Sequence, residues 1–334
     1  MAVETKSGAG PWSALWYVAP GAAELRDCPP AAPGPGEARL AMLWSGLSRG
    51  TERLVFSGRV PASEHERMRA PMQAGDFPFP VKYGYCAVAR VEEGPADLAG
   101  KTVFCLHPHQ NIFIAPLARL TALPESLSPR RATLAANMET ALNALWDSGA
   151  GPGDRVVVVG AGLVGLLVAY LAAGMPGADV TVVDLDPARA PVAKSFGAAF
   201  VTPGDFHDAR VPDADIVFHA SATPGGLALA LSAGGLEARI VELSWYGEGV
   251  TATPLGGAFH SRRLRLVSSQ VGLIAPSRRP RWDYARRLGK ALELLADARL
   301  DALITGEVAF ADLPGALPEL LSPQAKGLAT AVRY

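Results

Sequence analysis

The pattern of apolar and polar residues changes character near residue 128. Before that point, apolar residues occur in short β-rich runs, separated by turns rich in proline and glycine such as 29–36. The runs cover residues 14–19, 38–43, 86–91, 102–106 and 111–115. Short strands at this spacing are typical of a barrel or a sandwich. Residues 64–80 show little periodicity, so we expect a loop over a cleft there.

From residue 128 onward, the pattern alternates between strands and helices. Ser128 and Pro129 are typical N-cap and first-turn residues of a helix, which we expect to end at Gly149. Predicted strands follow at 156–159, 180–183, 199–201, 215–219, 239–243 and 264–268. The first of them is a run of valines, as expected for a strand buried on both faces. The alternation predicts an α/β fold with a doubly wound parallel sheet.

The alternation stops after about residue 272. Residues 281–300 form a predicted amphipathic helix, and short β runs follow at 302–310 and 327–333. The apolar face of that helix is expected to carry Tyr284, Leu288, Leu292 and Leu295. We expect this tail to return to the N-terminal domain. The predicted domains are therefore 1–137 with 273–334, and 138–272.

A glycine-rich turn follows the valine strand. Gly160, Gly162 and Gly165 have the G-x-G-x-x-G spacing, and an apolar helix begins directly after Gly162 with Leu163 and Val164. The first glycine allows a sharp turn, the second leaves room for a pyrophosphate, and the third lets the helix lie close to the strand. N–H groups at the start of that helix attract phosphate. The turn therefore predicts a dinucleotide site.

Asp184 lies at the end of the next predicted strand, about 20 residues beyond the last glycine, where a ribose-binding carboxylate belongs. Asp186 and Pro187 are expected to cap the following helix. A carboxylate at this position favours NAD over NADP, although Arg189, one helical turn further on, could soften that preference. The alternative that 156–173 spans a membrane is rejected, because the run is short and contains glycines at functional spacing.

Composition changes this picture little. Of 334 residues, 49% are hydrophobic and 19% charged, which describes a globular protein with an ample core. The formal net charge of −1 gives no reason to expect nucleic acid or a membrane as partner, so we expect a small-molecule substrate. Three scattered cysteines do not make a disulfide framework. The N-terminus has no apolar leader segment, and we expect a cytoplasmic protein.

Two short motifs resemble the medium-chain dehydrogenase/reductase superfamily, which includes the zinc alcohol dehydrogenases. Residues 45–52, Ser-Gly-Leu-Ser-Arg-Gly-Thr-Glu, resemble the segment that carries the first catalytic-zinc cysteine, and Ser48 stands in its place. Residues 83–86 resemble the Gly-His-Glu motif, with Tyr85 in place of the zinc-binding histidine and Cys86 in place of the glutamate. The structural-zinc loop has no counterpart. Glu139 lies near the third catalytic ligand position.

The resemblance implies a GroES-like β-barrel domain, a Rossmann domain and a C-terminal tail that returns to the first domain. In this superfamily the last strand of the Rossmann sheet pairs with its twin, which implies a homodimer. Residues 44–61 and 83–85 are similar to the bacteriochlorophyllide 3-hydroxyethyl dehydrogenase branch, which oxidises a secondary alcohol on a tetrapyrrole side chain. That similarity implies a type of reaction and leaves the substrate open.

The candidate catalytic residues are Ser48, Tyr85 and His107. Ser48 is either a hydrogen-bond donor to a substrate oxygen or cofactor ribose, or a serine that satisfies a turn. Tyr85 is either a proton donor or a packed aromatic residue. His107 and His109 at i and i+2 face opposite ways on a strand, so we expect no shared metal, and His107 remains an acid/base candidate. Glu52 and Glu139 either pair with Arg49 or position a substrate, and a structural ion pair is the expected role of both.

These residues predict a zinc-independent oxidoreductase that transfers hydride between NAD and an alcohol, ketone or enone. Two alternatives stay open at this point. One is a nucleotide-binding protein without turnover, acting as a redox sensor or structural protein, because fold does not imply function. The other is a dehydrogenase whose zinc site is rebuilt from Cys86, Glu139 and a histidine.

Overall fold

The computed structural model describes residues 11–206 and 213–334, and they form strands, α-helices and short turns of tighter or wider helix. In chain order the strands are β1 (Ser13–Ala19), β2 (Ala22–Asp27), β3 (Glu37–Leu47), β4 (Ala74–Gly75), β5 (Val81–Lys82), β6 (Ala87–Glu93), β7 (Thr102–Cys105), β8 (Ile112–Pro116), β9 (Thr121–Ala122), β10 (Arg155–Val159), β11 (Asp179–Val183), β12 (Ala199–Val201), β13 (Ala214–His219), β14 (Gly234–Glu242), β15 (Arg265–Ser268), β16 (Ile304–Ala309) and β17 (Ala329–Arg333).

The α-helices are α1 (Arg49–Phe56), α2 (Pro129–Ala132), α3 (Ala135–Ser148), α4 (Leu163–Ala173), α5 (Ala190–Ser195), α6 (Pro224–Ala233), α7 (Tyr284–Leu294) and α8 (Leu313–Leu320). Short 3-10 turns cover Ala62–Glu64, Leu117–Arg119, Pro187–Arg189, Ala298–Leu303 and Phe310–Asp312, and a π turn covers Leu255–Phe259. Two compact units result: the chain up to Thr133 together with Gly306–Tyr334, and Leu134–Thr305.

The first unit is built on β-sheets. Its larger sheet has the strand order β16-β17-β3-β6-β7-β9, with β8 also paired to β3, and a smaller sheet has the order β2-β1-β5-β4. Strand β3 is antiparallel to β6, β8 and β17. Inward-facing side chains such as Leu40, Val103 and Phe113 form its core. The returning tail is thereby confirmed for β17, which pairs Thr330 with Leu47.

The second unit contains the predicted parallel sheet. All six predicted strands form, and they pair in the order β12-β11-β10-β13-β14-β15, which is the order of a doubly wound sheet. Helices cover both faces of β10. Val157 and Val159 share a core cluster with Ala230 and Leu231 of α6, whereas Val158 lies on the α4 side. A strand buried on both faces explains why valine is repeated there rather than alternating with polar residues.

The predicted helix from Ser128 to Gly149 is divided in two. Its ends are as expected: the Ser128 side chain accepts the Arg131 N–H, and Gly149 adopts a left-handed conformation with φ 71°. Between α2 and α3, however, the Thr133 hydroxyl donates to the Arg130 carbonyl at 2.7 Å. The Thr133 N–H also pairs with the Arg130 carbonyl, three residues back, at 3.4 Å, so the regular helical pairing is interrupted there. The boundary between the two units follows Thr133.

The predicted helix at 281–300 is shorter in the structure and belongs to the second unit. Leu288, Leu292 and Leu295 are buried as expected, but Tyr284 is 54% exposed, and its hydroxyl donates to the Gly272 carbonyl at 2.9 Å. The inclusion of Tyr284 in the apolar face was wrong, because this first residue of α7 lies at the surface, where its hydroxyl bonds the Gly272 carbonyl. Of the tail 273–334, only Gly306–Tyr334 joins the first unit, since α7 is bonded to α3.

Candidate functional site

The glycine turn between β10 and α4 shows why each glycine is needed. Gly160 has φ +108°, and a Cβ there would lie 2.8 Å from the Ser221 nitrogen. A Cβ on Gly165 would lie 1.9 Å from the Gly160 carbonyl oxygen, so only glycine lets the helix approach the strand this closely. A Cβ on Gly162 would meet nothing within 4 Å. The chain therefore leaves open space at the glycine that a pyrophosphate would approach.

Helix α4 begins at Leu163, directly behind this open space. Its N-cap is Gly162, which has no side chain with which to cap the first-turn N–H groups of Leu163 and Val164. The N–H groups and the positive end of the helix dipole together favour a phosphate anion at that point. The turn, the open space and the helix end thus fit a dinucleotide.

Asp184 follows β11 and is held beside the glycine turn. One carboxylate oxygen accepts the Ala161 N–H at 2.6 Å, and the other accepts the Asp186 N–H at 2.8 Å. Each oxygen keeps lone pairs for a ribose hydroxyl. The structure therefore brings together the glycine turn and the acidic residue, which the sequence separates by about 20 residues.

Arg189 lies further along and faces Asp186. Its Nε is 3.2 Å from the Asp186 carboxylate, and its side chain is 18% exposed. The ion pair with Asp186 occupies at least part of the guanidinium. The neighbouring carboxylate also reduces the positive charge that Arg189 could offer to a 2′-phosphate.

A second candidate site lies in the first unit, where Ser48 and Tyr85 meet. The Tyr85 hydroxyl donates to Ser48 Oγ at 2.5 Å, and Ser48 N–H donates to the Glu52 carboxylate at 2.7 Å. Burial raises the pKa of Tyr85 above its usual value, so the phenol stays protonated at neutral pH. Because Ser48 Oγ accepts the Tyr85 proton, the Ser48 proton is directed elsewhere, and a ligand oxygen could accept it.

Glu52 is the centre of a buried hydrogen-bond network. Its carboxylate accepts the Tyr17 hydroxyl at 2.6 Å and lies 3.0 Å from His109 Nε2. The other His109 nitrogen lies 2.7 Å from Ser45 Oγ, which lies 3.0 Å from the Tyr334 hydroxyl. Glu52 and His109 are both fully buried. The sequence analysis missed the roles of Tyr17, Ser45 and Tyr334, which only the fold brings together.

The predicted pairing of Glu52 with Arg49 is wrong. Arg49 instead donates to the main-chain carbonyls of Lys326 and Gly327, at 3.2 and 2.8 Å, and also to that of Ala325. Arg49 therefore fastens α1 to the returning tail. Its backbone partners lie far away in sequence, so the local motif could not reveal them.

His107 is placed differently from Ser48 and Tyr85. Its ring stacks on Phe113 with centroids 3.9 Å apart, and Nδ1 lies 2.9 Å from the Pro108 carbonyl. Burial lowers the pKa of His107 to about 3, against a smaller opposing effect of that carbonyl. The imidazole is therefore neutral at physiological pH. Its role in proton transfer stays a prediction, and it would act through a neutral ring.

Glu139 is occupied by an ion pair within the second unit. Arg287 Nε lies 3.0 Å from its carboxylate, and both side chains are almost completely buried. Burial raises the pKa of Glu139, while the charge and hydrogen bond of Arg287 oppose the rise. Arg287 also donates to Asn143 Oδ1 at 2.9 Å. These bonds join α3 to α7.

The donor set does not fit a catalytic zinc. Ser48 and Tyr85 are hydrogen-bonded to each other, and neutral hydroxyls are poor zinc ligands beside thiolate or imidazole. Glu139 is bonded to Arg287. Within residues 11–206 and 213–334, no group of three or more His, Cys, Asp or Glu side chains could hold a metal ion. In the same ranges, no helix is both long and apolar enough to cross a membrane.

Comparisons with known proteins agree with this fold. The family model for the alanine dehydrogenase/PNT C-terminal domain matches residues 147–233. An uncharacterized zinc-type alcohol dehydrogenase-like protein of Haemophilus influenzae is 27% identical over 221 residues, which are 63% of this chain. The match spans 60% of that relative's length.

Solved structures are similar over nearly the whole chain. A short chain alcohol dehydrogenase from E. coli, complexed with NADH, has a TM-score of 0.78 at 15% identity and covers 97% of this chain and 100% of its own. A putative zinc-binding dehydrogenase from Sinorhizobium meliloti, bound to NADP, has a TM-score of 0.78 at 17% identity, with coverages of 98% and 100%. Alcohol dehydrogenase TADH from Thermus sp. ATN1 has a TM-score of 0.72 at 20% identity, with coverages of 96% and 99%.

The predicted resemblance is thus confirmed for the fold. The chain has the α/β fold of the medium-chain, zinc-type alcohol dehydrogenases, including a Rossmann domain. The closer similarity to the bacteriochlorophyllide branch stays a prediction.

Proposed function

We propose that this protein is a nicotinamide-dependent oxidoreductase that transfers hydride to or from an alcohol, ketone or enone without a catalytic zinc. The observation that supports this most is the glycine turn with Asp184 bonded across it through the Ala161 N–H. Similar folds have been solved with NADH and with NADP. The proposal extends to this chain the chemistry that those names describe.

The preferred cofactor in this proposal is NAD. Asp184 presents an anionic carboxylate where the ribose 2′-hydroxyl of the adenosine half would lie. A 2′-phosphate about 4 Å from that carboxylate would be repelled by ~4 kcal/mol at an effective dielectric constant near 20. Arg189 does not cancel this repulsion, because its guanidinium is paired with Asp186.

The cofactor supplies the hydride chemistry, and the chain supplies position and proton donation. Ser48 is proposed to donate its hydroxyl proton to a substrate oxygen, because its own oxygen already accepts the Tyr85 proton. Tyr85 strengthens that donation by withdrawing electron density from Ser48 Oγ. Glu52 holds the backbone of Ser48 in position, since one Glu52 carboxylate oxygen accepts the Ser48 N–H.

The test is NADH oxidation, followed by absorbance, with a panel of ketones and enones of increasing size. Turnover that survives incubation with a chelator would support the proposal. Stoichiometric zinc in elemental analysis, with activity lost on chelation, would overturn the zinc-independent part of the proposal. It would favour the alternative of a rebuilt zinc site. Tight NADH binding without turnover on any substrate would instead favour a sensor or structural role.

A further inference from the structure

A second buried polar array lies in the parallel sheet, apart from the residues that the sequence singled out. His219 ends β13 and Glu242 ends the neighbouring strand β14. His219 Nδ1 is 2.7 Å from the Glu242 carboxylate, and His219 Nε2 is 2.7 Å from Ser221 Oγ. Ser221 Oγ in turn lies 3.0 Å from the Thr223 hydroxyl. His219 is completely buried, whereas Ser221 is half-buried and Thr223 is exposed.

The array packs closely against the first turn of α6, where Gly226 has no side chain. A Cβ on Gly226, in the first turn of α6, would lie 2.1 Å from Ser221 Oγ and 2.8 Å from His219 Nε2. Glycine at that position therefore lets imidazole and hydroxyl meet. Thr223, which caps α6 by accepting the Gly226 N–H at 3.1 Å, closes the exposed end.

The array borders the glycine turn. The Ser221 nitrogen lies 2.8 Å from the position that a Gly160 Cβ would take, and the Ala220 N–H donates to the Val159 carbonyl at 2.8 Å. Strands β10 and β13 are neighbours at the point where the strand order reverses, and ligands of such sheets bind in that crevice. The backbone of Ser221 therefore packs against the first glycine of the turn, which is the basis for placing its hydroxyl near a bound pyrophosphate.

The proton positions follow from the chemistry of the partners. The pKa of Glu242 is lowered: burial acts to raise it, but the bond and charge of His219 and the bonds from Ser244 outweigh burial. Glu242 is therefore an ionised acceptor, and His219 carries a proton on Nδ1. Tyr246, whose hydroxyl donates to Glu242 at 3.2 Å and lies 3.5 Å from His219 Nδ1, also faces the ring. Burial and the charge of Glu242 raise the pKa of Tyr246 to about 12, so it remains neutral.

The direction of the Ser221 proton then depends on the second imidazole nitrogen. With neutral His219, Nε2 is an acceptor, and the Ser221 hydroxyl donates its one hydrogen bond to Nε2. With protonated His219, Nε2 donates to Ser221 Oγ, and the Ser221 proton is released to point outward. Of these two states, only the second lets Ser221 donate to an anionic oxygen while its bond to Nε2 is kept.

Building on the proposed function, we propose that Ser221 donates a hydrogen bond to a pyrophosphate oxygen of the dinucleotide, and that His219 takes up a proton when the cofactor binds. Ser221 would then be a binding residue, and His219 and Glu242 would be positioning residues. Because the ligand favours the protonated ring, the binding of the proton and the binding of the ligand assist each other. The Kd for the dinucleotide should therefore rise with pH, by up to about tenfold per pH unit where one whole proton is taken up.

The test is calorimetric titration of the full chain with NADH near neutral pH, in buffers of different ionisation enthalpy. The dependence of the measured heat on the buffer gives the number of protons taken up. We expect an uptake of more than zero and at most about one proton in the unaltered protein. His219→Gln, which keeps polar contacts but cannot titrate, should abolish it. The same substitution at His65, in the first unit, is the matched control and should leave the uptake unchanged.

Ser221→Ala provides a second variant should the buried His219 substitution impair folding. It removes the hydroxyl between the ligand and the ring, so proton uptake should again disappear while NADH binding weakens. NADH binding without proton uptake in the unaltered protein, or with equal uptake in Ser221→Ala, would overturn this inference and leave the proposed function standing. Failure of the unaltered protein to bind NADH would overturn both.

Discussion

At the scale of single residues, Ser48 and Tyr85 divide the roles that the sequence analysis gave to both. The sequence analysis offered Ser48 as a hydrogen-bond donor and Tyr85 as a proton donor. In the structure the Tyr85 hydroxyl donates to Ser48 Oγ at 2.5 Å, so the hydroxyl with a proton to offer is that of Ser48. No sequence pattern could have shown this, because the direction of a hydrogen bond depends on which neighbours the fold provides.

The two hydroxyls should differ in their effect on catalysis. Ser48→Ala removes the proposed donor to the substrate oxygen, and removal of one such donor commonly costs a hundred- to thousandfold in kcat, or about 2.7–4 kcal/mol. Tyr85→Phe removes only the support of that donor, worth about 1 kcal/mol, so kcat should fall by roughly fivefold. Steady-state kinetics with NADH and the best ketone would measure both, with the Kd for NADH as control. An equal or larger loss in Tyr85→Phe would return the donor role to Tyr85.

Asp184 should decide the choice between the two nicotinamide cofactors. Asp184→Asn removes the negative charge but preserves the shape of the side chain, and it should recover much of a roughly thousandfold discrimination against NADPH. The measurement is fluorescence titration of both cofactors. Asp179→Asn, at the opposite end of β11, removes the same charge and should leave the ratio of affinities unchanged. Discrimination that is unaffected by Asp184→Asn would mean that Asp184 does not face the ribose.

At the scale of elements, prediction from sequence succeeded where burial repeats along the chain. Inner strands of the parallel sheet such as β10 are largely buried and stand out as apolar runs, and the predicted caps Ser128 and Asp186 mark the start of helical turns. Strands β2, β4, β5 and β9 escaped prediction. β4, β5 and β9 are two residues long, and β2 has no buried residue, so neither period nor composition distinguished them from turns. Contacts between distant segments, such as Tyr17 to Glu52, leave no local pattern.

Two glycines of the turn from β10 into α4 should respond differently to substitution, one in stability and the other in NADH affinity. Gly165→Ala would place a Cβ 1.9 Å from the Gly160 carbonyl oxygen, so we expect a large loss of stability. Gly162→Ala meets no neighbour within 4 Å and should change stability by no more than about 1 kcal/mol. It should nevertheless weaken NADH binding by more than about tenfold, because its methyl group enters the space for the pyrophosphate.

Thermal unfolding and NADH titration of both glycine variants would separate these effects. Gly225→Ala, at another position where a Cβ meets nothing within 4 Å, serves as the control for a harmless methyl group. Normal NADH affinity in Gly162→Ala would show that the pyrophosphate does not pass there.

At the scale of the whole molecule, the edge of the parallel sheet suggests how copies of the chain associate. Strand β15 is the last strand in the sheet order, and Leu266 on it is 38% exposed. An edge strand with apolar residues is a template for pairing with another chain unless something covers it. Pairing with the same strand of a second copy would satisfy the edge and form a self-complementary interface.

We therefore predict a homodimer joined through β15. Light scattering at micromolar concentration should give twice the chain mass of 34.9 kDa. Leu266→Lys should give a monomer with an unchanged circular dichroism spectrum, because the side chain already reaches solvent and charged residues block edge pairing. Leu185→Lys, at an exposed position away from that edge, should leave the dimer intact. A monomeric mass for the unaltered chain would contradict the prediction.

The return of β17 to the first unit also has a consequence for the order in which the protein folds. The second unit, Leu134–Thr305, is one uninterrupted segment, whereas β3 of the first unit must wait for β17 as an antiparallel neighbour from the far side of that segment. Pairings between distant parts of a chain form slowly, because loop-closure entropy is lost before the contacts are gained. On a ribosome, residues 134–305 emerge as a complete unit while β3 still lacks β17. The parallel sheet is therefore expected to fold first, and the network around Glu52, which includes Tyr334, to close last.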